Sequence, residues 1–234
     1  MINYLIFDGR SSRDYGLYIS GSGVFNAPER DVERVEIAGR SGDLILDNGR
    51  YKNITVGYPA YIHQRFAAYA AAARDWLLSR HNYCRLEDTY YPDFFRLARF
   101  AGPLDFDVRF ANSGGETTLF FDCKPQRFWK SGEYPVAVTS AATIRNPTAF
   151  PALPLIHVYG SGDGTLTVGE SVVEIAGLDG VLTLDADLQD AYKGDVSKND
   201  TVSLAGFPVL DGVTDVAFSG GITKVEIIPR WWSI

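Results

Sequence analysis

The segment "PAYIHQRFAAYAAAARDWLLSRH", residues 59–81, is the only stretch of the chain with the clear apolar repeat of an amphipathic helix. Ala-rich sequence favours helix, and Pro59 suits the first turn of one. Apolar side chains recur at i, i+3, i+4 and i+7, which places them on one face. We therefore predict one helix packed on a sheet, with an apolar stripe of Ile62, Phe66, Tyr69, Ala73, Trp76 and Leu77.

The sequence on both sides of this segment alternates between apolar and polar residues, as half-buried strands do. Before it, "NYLIFDGRSSRDYG" predicts two short strands around a polar turn. After it, "NSGGE" predicts a hairpin turn between two of the later strands. Those later strand candidates are "CRLEDT", "FFRLARFAG", "LDFDVRFAN" and "TTLFFDCKP".

The second half of the chain has a different composition. Five prolines, from Pro125 to Pro154, predict a crossover segment rather than a central strand. Residues 160–228 are rich in Gly, Val, Thr and Asp and predict short strands, with turns at "VGES", "LDGV" and "SGG". We predict a mainly β protein with one helix, divided into an α+β domain over residues 1–132 and a β-sandwich over residues 133–234.

Charge and hydropathy exclude several classes of partner. The formal net charge is -7 over 234 residues, and nucleic-acid binding needs a surplus of Lys and Arg. The first residues have neither the basic region nor the apolar core of a secretory signal. No apolar run approaches the roughly 18 residues of a membrane span. We predict a protein that binds neither nucleic acid nor membrane.

The residues offer little for catalysis, a cofactor or a metal. Cys84 and Cys123 are far apart in sequence and predict two reduced thiols rather than a disulfide framework. The Gly-rich stretches do not match a phosphate loop and do not lead into a helix. Acidic pairs such as Asp105/Asp107 and Asp185/Asp187 have the chemistry of a glycosidase, but an acidic chain of this size contains such pairs by chance. We predict no enzyme, no cofactor and no metal.

Residues 26–53, "NAPERDVERVEIAGRSGDLILDNGRYKN", closely mix acidic and basic side chains. "RDVERVEI" predicts a strand without a purely apolar face, which suits an edge strand or one covered by a partner. "GRSGD" predicts a turn or loop, and the Asn-Gly pair of "DNGR" predicts a type I′ hairpin turn. The segment therefore predicts a projecting surface for another protein chain.

A second interpretation rests on the aromatic residues, which make up 13% of the chain. Exposed rings of the C-terminal sandwich could stack on sugars, which would make the protein a carbohydrate-binding β-sandwich. The aromatic residues considered for contact with sugars or with another protein are Tyr90, Tyr91, Phe94, Phe95, Phe128, Trp129, Trp231 and Trp232.

A third interpretation is an enzyme that acts on glycans through a carboxylate pair.

Five motifs in series resemble the distal tail proteins of siphophages, and together they extend over almost the whole chain. The first is an N-terminal run in two parts, two more lie before the boundary between the domains, and the last two belong to the second half. In order they are "FDGRSSRDYGLYIS" with "PERDVERVEIAGRSGDLILDNGRYKN", then "RLEDTYYPDFFRLARF", "LFFDCKPQRFWKSG", "IRNPTAFPALPLIHVYGSG" and "IIPRWWSI".

This resemblance implies a structural protein of the virion tail, assembled in the cytoplasm of the host bacterium. Its N-terminal domain would form a ring, usually a hexamer, with "GRSGDLILDNGR" as a projecting hairpin arm. Its C-terminal domain would be a galectin-like sandwich that faces outward. The ring would be a hub between the tail-tube protein and the baseplate or tail-fibre proteins used in host attachment.

A cyclic ring joins two different patches of neighbouring subunits, so the two patches must be complementary. Opposite charges on the arm can be matched on the next copy, where they fix register more than they add affinity. We predict that six charged residues pair across subunits: Glu29, Arg30, Glu33, Arg34, Arg40 and Arg50.

Overall fold

The computed structural model describes residues 2–21, 23, 25–109 and 113–234. In these residues the fold is mainly β with a single α-helix, which confirms the predicted class. The chain forms two compact units, Met1–Arg127 with Ile234, and Phe128–Ser233. The boundary at 132/133 stays a proposal for where the chain divides into domains. No helix in the described part of the chain is long and apolar enough to span a membrane.

Ten strands precede residue 130 in the described part of the chain. They are β1 Leu5–Phe7, β2 Arg10–Ser11, β3 Tyr18–Ile19, β4 Arg30–Val35, β5 Leu44–Tyr51, β6 Ile54–Ile62, β7 Cys84–Asp88, β8 Phe94–Phe100, β9 Asp107–Arg109 and β10 Gly114–Trp129. All but β4 and β5 join one sheet, whose main path runs β2-β1-β7-β8-β10-β6-β3, and β9 pairs with β10. Short 3-10 helices span Ser12–Tyr15, Lys130–Glu133 and Asn199–Thr201.

The single helix, α1, spans Phe66–Leu78 and packs on this sheet as predicted. Trp76 is buried and meets Phe7 edge to face at 6.2 Å, and Phe7 in turn meets Phe121 at 5.3 Å. These rings join the apolar side of the helix to the centre of the sheet, where aromatic pairs add to the stability given by area burial.

The predicted start of the helix at Pro59 is wrong, because Pro59 and Ile62, the first residue of the predicted stripe, lie inside β6. Burial alternates along this strand, with Tyr58 and Ala60 buried and Pro59 exposed between them. The carbonyl of Pro59 accepts from the backbone N–H of Ser20, just past the end of β3. The N–H that proline lacks would face this same side, beyond Ile19–Ala60, the last pair of the β3–β6 ladder, so the ladder loses no bond.

The second unit is built from nine further strands, which confirms the predicted C-terminal β region. They are β11 Val136–Val138, β12 Ala142–Arg145, β13 Leu155–Val168, β14 Ser171–Asp185, β15 Asp190–Lys193, β16 Val196–Ser197, β17 Val202–Leu204, β18 Val213–Ile228 and β19 Trp232–Ser233. Eight of them join one sheet, whose main path is β11-β18-β13-β14-β15-β16. Both halves of the long strands supply core side chains, as strands do when they continue from one layer of a sandwich into the other.

Several glycines predicted to form turns lie within long strands instead. Gly49 of β5, Gly180 of β14 and Gly220 of β18 all have positive φ inside a strand. The pairing register shifts next to Gly49 and next to Gly220, which are bulges rather than chain reversals. The predicted turn at "VGES" is confirmed, since Val168 pairs with Ser171. The "NSGGE" turn begins at residue 112, which lies outside the described residues, and its two glycines are already part of β10.

The strand β10 also continues through Pro125, where the sequence predicts a crossover. Its ladder with β6 ends at the pair Cys123–Ile54. Pro125 follows that last pair, so its missing N–H removes no bond from this ladder. The strand therefore runs on to Trp129, and the predicted end of the central strand is wrong by several residues.

Replacing Gly160 by alanine is expected to destabilise the second unit. A Cβ at this position would overlap the carbonyl oxygen of Gly221, because β13 and β18 cross closely at their bulges. Overpacking of this kind costs about 1–3 kcal/mol of unfolding free energy. The control is Gly206→Ala, where a Cβ meets no atom within 4 Å. Equal melting temperatures for the two variants would contradict this close approach.

Candidate assembly surface

The hairpin of β4 and β5 forms a two-stranded sheet of its own, separate from the two large sheets. We call this hairpin, residues 30–51, the arm. Every residue of β5 before Tyr51 is exposed, and β4 is exposed except for Asp31 and Val32. A lone two-stranded hairpin is marginally stable in water. The arm is therefore a segment whose stability depends on its own side-chain pairs or on a partner.

One face of the arm is apolar towards its tip. Antiparallel partners share a face, and the register pairs Val35 with Leu44 and Glu33 with Leu46. Val35, Leu44 and Leu46 are 36%, 44% and 46% exposed. Contiguous exposed apolar side chains on a polar surface are typical of protein–protein contacts. This set, Val35, Leu44 and Leu46, is the apolar face of the arm.

The base of the arm is held by ion pairs within the hairpin. Arg30 lies 2.7 Å from the carboxylate of Asp47 and its guanidinium is 4.9 Å from the centre of the Tyr51 ring. Arg50 lies 2.7 Å from Asp31 on the opposite face. Hydrogen bonds from Arg30 and from Arg50 lower the pKa of Asp47 and of Asp31, respectively. Pairs on both faces therefore fix the two strands in register.

The six residues predicted to pair across subunits fall into two groups. Arg30 and Arg50 have the partners just described, and Glu29 lies 3.3 Å from Lys52. Within the part of the chain that the structure describes, the other three have no ion-pair partner: Glu33, Arg34 and Arg40. The unpaired group lies towards the tip, and its pairing with another subunit stays a prediction.

Sequence reasoning missed the apolar face. Val35 is visible in the alternation of β4, but Leu44 and Leu46 join it only through the pairing register. The bulge at Gly49 sets that register, and the sequence instead predicts a turn there. The apolar run "LIL", residues 44–46, was the available indication.

One carboxylate of each of two acidic pairs considered for catalysis is held in a structural contact. Asp185 is buried and accepts two hydrogen bonds from Arg230, at 2.7 and 3.0 Å. Asp107 pairs with Arg109 at 2.8 Å. Among the described residues no three His, Cys, Asp or Glu side chains lie close enough to hold a metal ion. These arrangements stabilise strands and turns.

The two cysteines are free thiols. Burial raises the pKa of Cys123 to about 12, and it also raises the pKa of Cys84. A reactive cysteine has a lowered pKa, because the thiolate is the nucleophile. Both thiols therefore have the environment of packing residues.

A groove of the second unit that bears on sugar binding is acidic and has no aromatic wall. It has a volume of about 470 Å³ and is lined by Asp163, Glu174 and Asp200 among other residues, none of which is aromatic in the described set. Trp231 is buried, and Trp232 stacks on Phe150 at 4.6 Å. These two rings are committed to packing rather than free to stack on a sugar.

Comparisons with known proteins agree with this architecture. No family model and no curated protein matches the chain. Among solved structures, the hub protein Dit of phage SPP1 matches with a TM-score of 0.76 at 12% identity, over 100% of both chains. A protein of the phage p2 baseplate, solved in its activated conformation with Sr, matches with a TM-score of 0.50 at 8% identity, over 97% of this chain and 98% of that one. The chain therefore has the fold of the Dit hub protein, and the resemblance to siphophage distal tail proteins is confirmed at the level of the fold.

Proposed function

We propose that the protein is a structural hub at the distal end of a siphophage or prophage tail. Copies of the chain form a ring, and the ring joins the tail-tube protein to the baseplate or tail-fibre proteins of the adhesion device. The ring is a hexamer, part of the virion, assembled in the cytoplasm of the host. The ring connects these parts of the tail and does not catalyse a reaction.

The fold supports this proposal because it is shared along the whole chain. The SPP1 protein is described as a paradigm of the hub of the adsorption apparatus in phages that infect Gram-positive bacteria, and its full length is covered. The second structural relative belongs to a phage baseplate. Fold alone does not fix function, so the proposal depends further on a surface of this chain.

The observation that carries the proposal is the uncovered apolar face of the arm. Val35, Leu44 and Leu46 lie together on a hairpin that is outside both large sheets. A second copy of the chain is the occupant we propose, because a heterologous contact repeated around an axis closes into a ring. Burial of this face in the neighbouring subunit would stabilise both the arm and the ring.

The unpaired charges at the arm give this contact its register. Glu33, Arg34 and Arg40 combine both signs, so complementary charges on the neighbouring copy can align it and exclude shifted arrangements. Pairing of all six charged residues across subunits stays a proposal. In a single copy Glu29, Arg30 and Arg50 already have partners at the base of the arm, so Glu33, Arg34 and Arg40 are the residues on which it is tested first.

Reversal of two of these charges is expected to weaken the ring. The variant with Arg34→Glu and Arg40→Glu should lower the fraction of ring-sized species at physiological salt by about tenfold, since like charges would then face each other. Native mass spectrometry measures this fraction. The matched control is Arg145→Glu, an exposed arginine of β12. The charge-matching proposal fails if the double variant assembles as the control does.

A further inference from the structure

One small cavity of the N-terminal unit is lined by two arginines, neither of which belongs to the arm. Arg96 belongs to β8 and Arg127 to β10, and both line a cavity of about 20 Å³. Tyr58, Asp88 and Tyr91 are also among its walls. Two guanidinium groups beside one carboxylate give the cavity an excess of positive charge.

The carboxylate of Asp88 accepts hydrogen bonds from neutral donors. Its Oδ2 accepts from the hydroxyl of Tyr58 at 2.7 Å, and its Oδ1 accepts from the backbone N–H groups of Tyr90 and Tyr91, each at 2.9 Å. Within the described residues neither the Arg96 nor the Arg127 side chain has a hydrogen bond or an ion pair. The charge of Asp88 acts on Arg96 through space, but one carboxylate offsets only one of the two positive charges and accepts no hydrogen bond from either arginine.

Both arginines carry a buried donor without a partner. The Nη1 of Arg96 and the Nε of Arg127 are shielded from solvent and have no acceptor among the residues that the structure describes. Burial lowers the pKa of Arg96, and the charge of Arg127 lowers it further. Both side chains are only partly buried, so the cost falls on these two donors, because a donor shielded from water and left without an acceptor loses its hydrogen bond.

Aromatic rings hold one of these charges in position. The guanidinium of Arg127 lies 4.4 Å from the ring centre of Phe94 and 5.7 Å from that of Tyr91. Cation–π contacts of this kind stabilise the charge without satisfying its N–H donors. The donors therefore stay available while the side chain stays fixed.

We propose that this cavity is a binding site for one small anion, held between Arg96 and Arg127. A cavity of about 20 Å³ has room for one group the size of a water molecule, so the occupant is a halide ion or one oxygen of a carboxylate. A water molecule could accept the same hydrogen bonds, but it would leave the excess positive charge of the cavity uncompensated. An anion accepts these hydrogen bonds and also compensates the excess positive charge.

Chloride-35 NMR on the purified chain tests the proposal. Exchange of chloride with a protein site broadens the chloride line, and the Arg96→Met and Arg127→Met variants are expected to lose this broadening. The control is Arg99→Met, because Arg99 is an exposed residue of the same strand that lies 3.4 Å from Asp122. Added sodium formate separates the two sources: displacement of chloride assigns the site to a carboxylate oxygen, and no displacement assigns it to halide.

A second measurement needs no variant. Crystals of the unmodified chain grown in sodium bromide are expected to give an anomalous peak between the two guanidinium groups. Equal chloride broadening in all three variants, or a bromide crystal with no peak in the cavity, would overturn the anion site. Neither result depends on ring assembly, so failure here leaves the proposed hub role untouched, and failure of the ring leaves this site untouched.

Discussion

The double variant Leu44→Asp and Leu46→Asp is expected to be a folded monomer at concentrations where the unmodified chain forms a ring. Each leucine is nearly half exposed in the single chain. Burial of the remaining apolar surface contributes about 1 kcal/mol for each side chain, and an unpaired carboxylate in the contact adds a larger penalty. A total of about 4 kcal/mol for each contact corresponds to a dissociation constant about a thousandfold weaker.

The control for this variant is Leu188→Asp, which changes an exposed leucine of the second unit. Sedimentation velocity compares the assemblies, and circular dichroism melts compare the folded chains. We expect similar melts for both variants and a loss of the ring only in the arm variant. If the arm variant sediments as the unmodified ring does, the apolar face is not the subunit contact.

Replacement of Arg230 by methionine is expected to cause the largest loss of stability in the second unit. Arg230 donates to both oxygens of Asp185, whose side chain is only 4% exposed. Removing one partner of a buried pair leaves the other charge uncompensated, at a cost of about 3–5 kcal/mol of unfolding free energy. The control is Lys193→Met, which removes the exposed 3.1 Å pair with Asp179 and should cost about 1 kcal/mol or less.

The same pair predicts the direction of a pH dependence. Burial alone would raise the pKa of Asp185, but hydrogen bonds from Arg230 and from the backbone N–H groups of Leu188 and Asp187 outweigh it, so the pKa is lowered. A lowered folded pKa gives stability that is complete above the ordinary carboxyl pKa of about 4 and is lost as the pH falls through the folded value. The difference between Arg230→Met and the unmodified chain should therefore be full at neutral pH and shrink in acid. Urea unfolding at several pH values measures it, and a difference independent of pH would contradict the pair.

The sequence predicted the elements whose pattern is local. The helix follows from its own apolar repeat, and β4 follows from the alternation of "RDVERVEI". The projecting character of residues 26–53 also follows from local composition, because no face of β4 alone is apolar. Each of these features depends on side chains that are neighbours in the chain.

Features that depend on strand register or on residues distant in the chain could not be predicted from the sequence. A glycine with positive φ suits a turn and a bulge equally, so Gly49 and Gly220 were assigned to turns. Pro59 could be placed in β6 only by knowing that β3 ends beside it. The convergence of Arg96 and Arg127 likewise depends on the path of two strands that are separate in sequence.

Native mass spectrometry of the unmodified chain, across a series of protein and salt concentrations, tests the central claim most directly. The account predicts a hexamer whose population rises with protein concentration and falls with added salt, since charge pairs are screened. Addition of tail-tube protein should increase that population. A monomer at every concentration, with or without tail-tube protein, would contradict the ring and the hub role built on it.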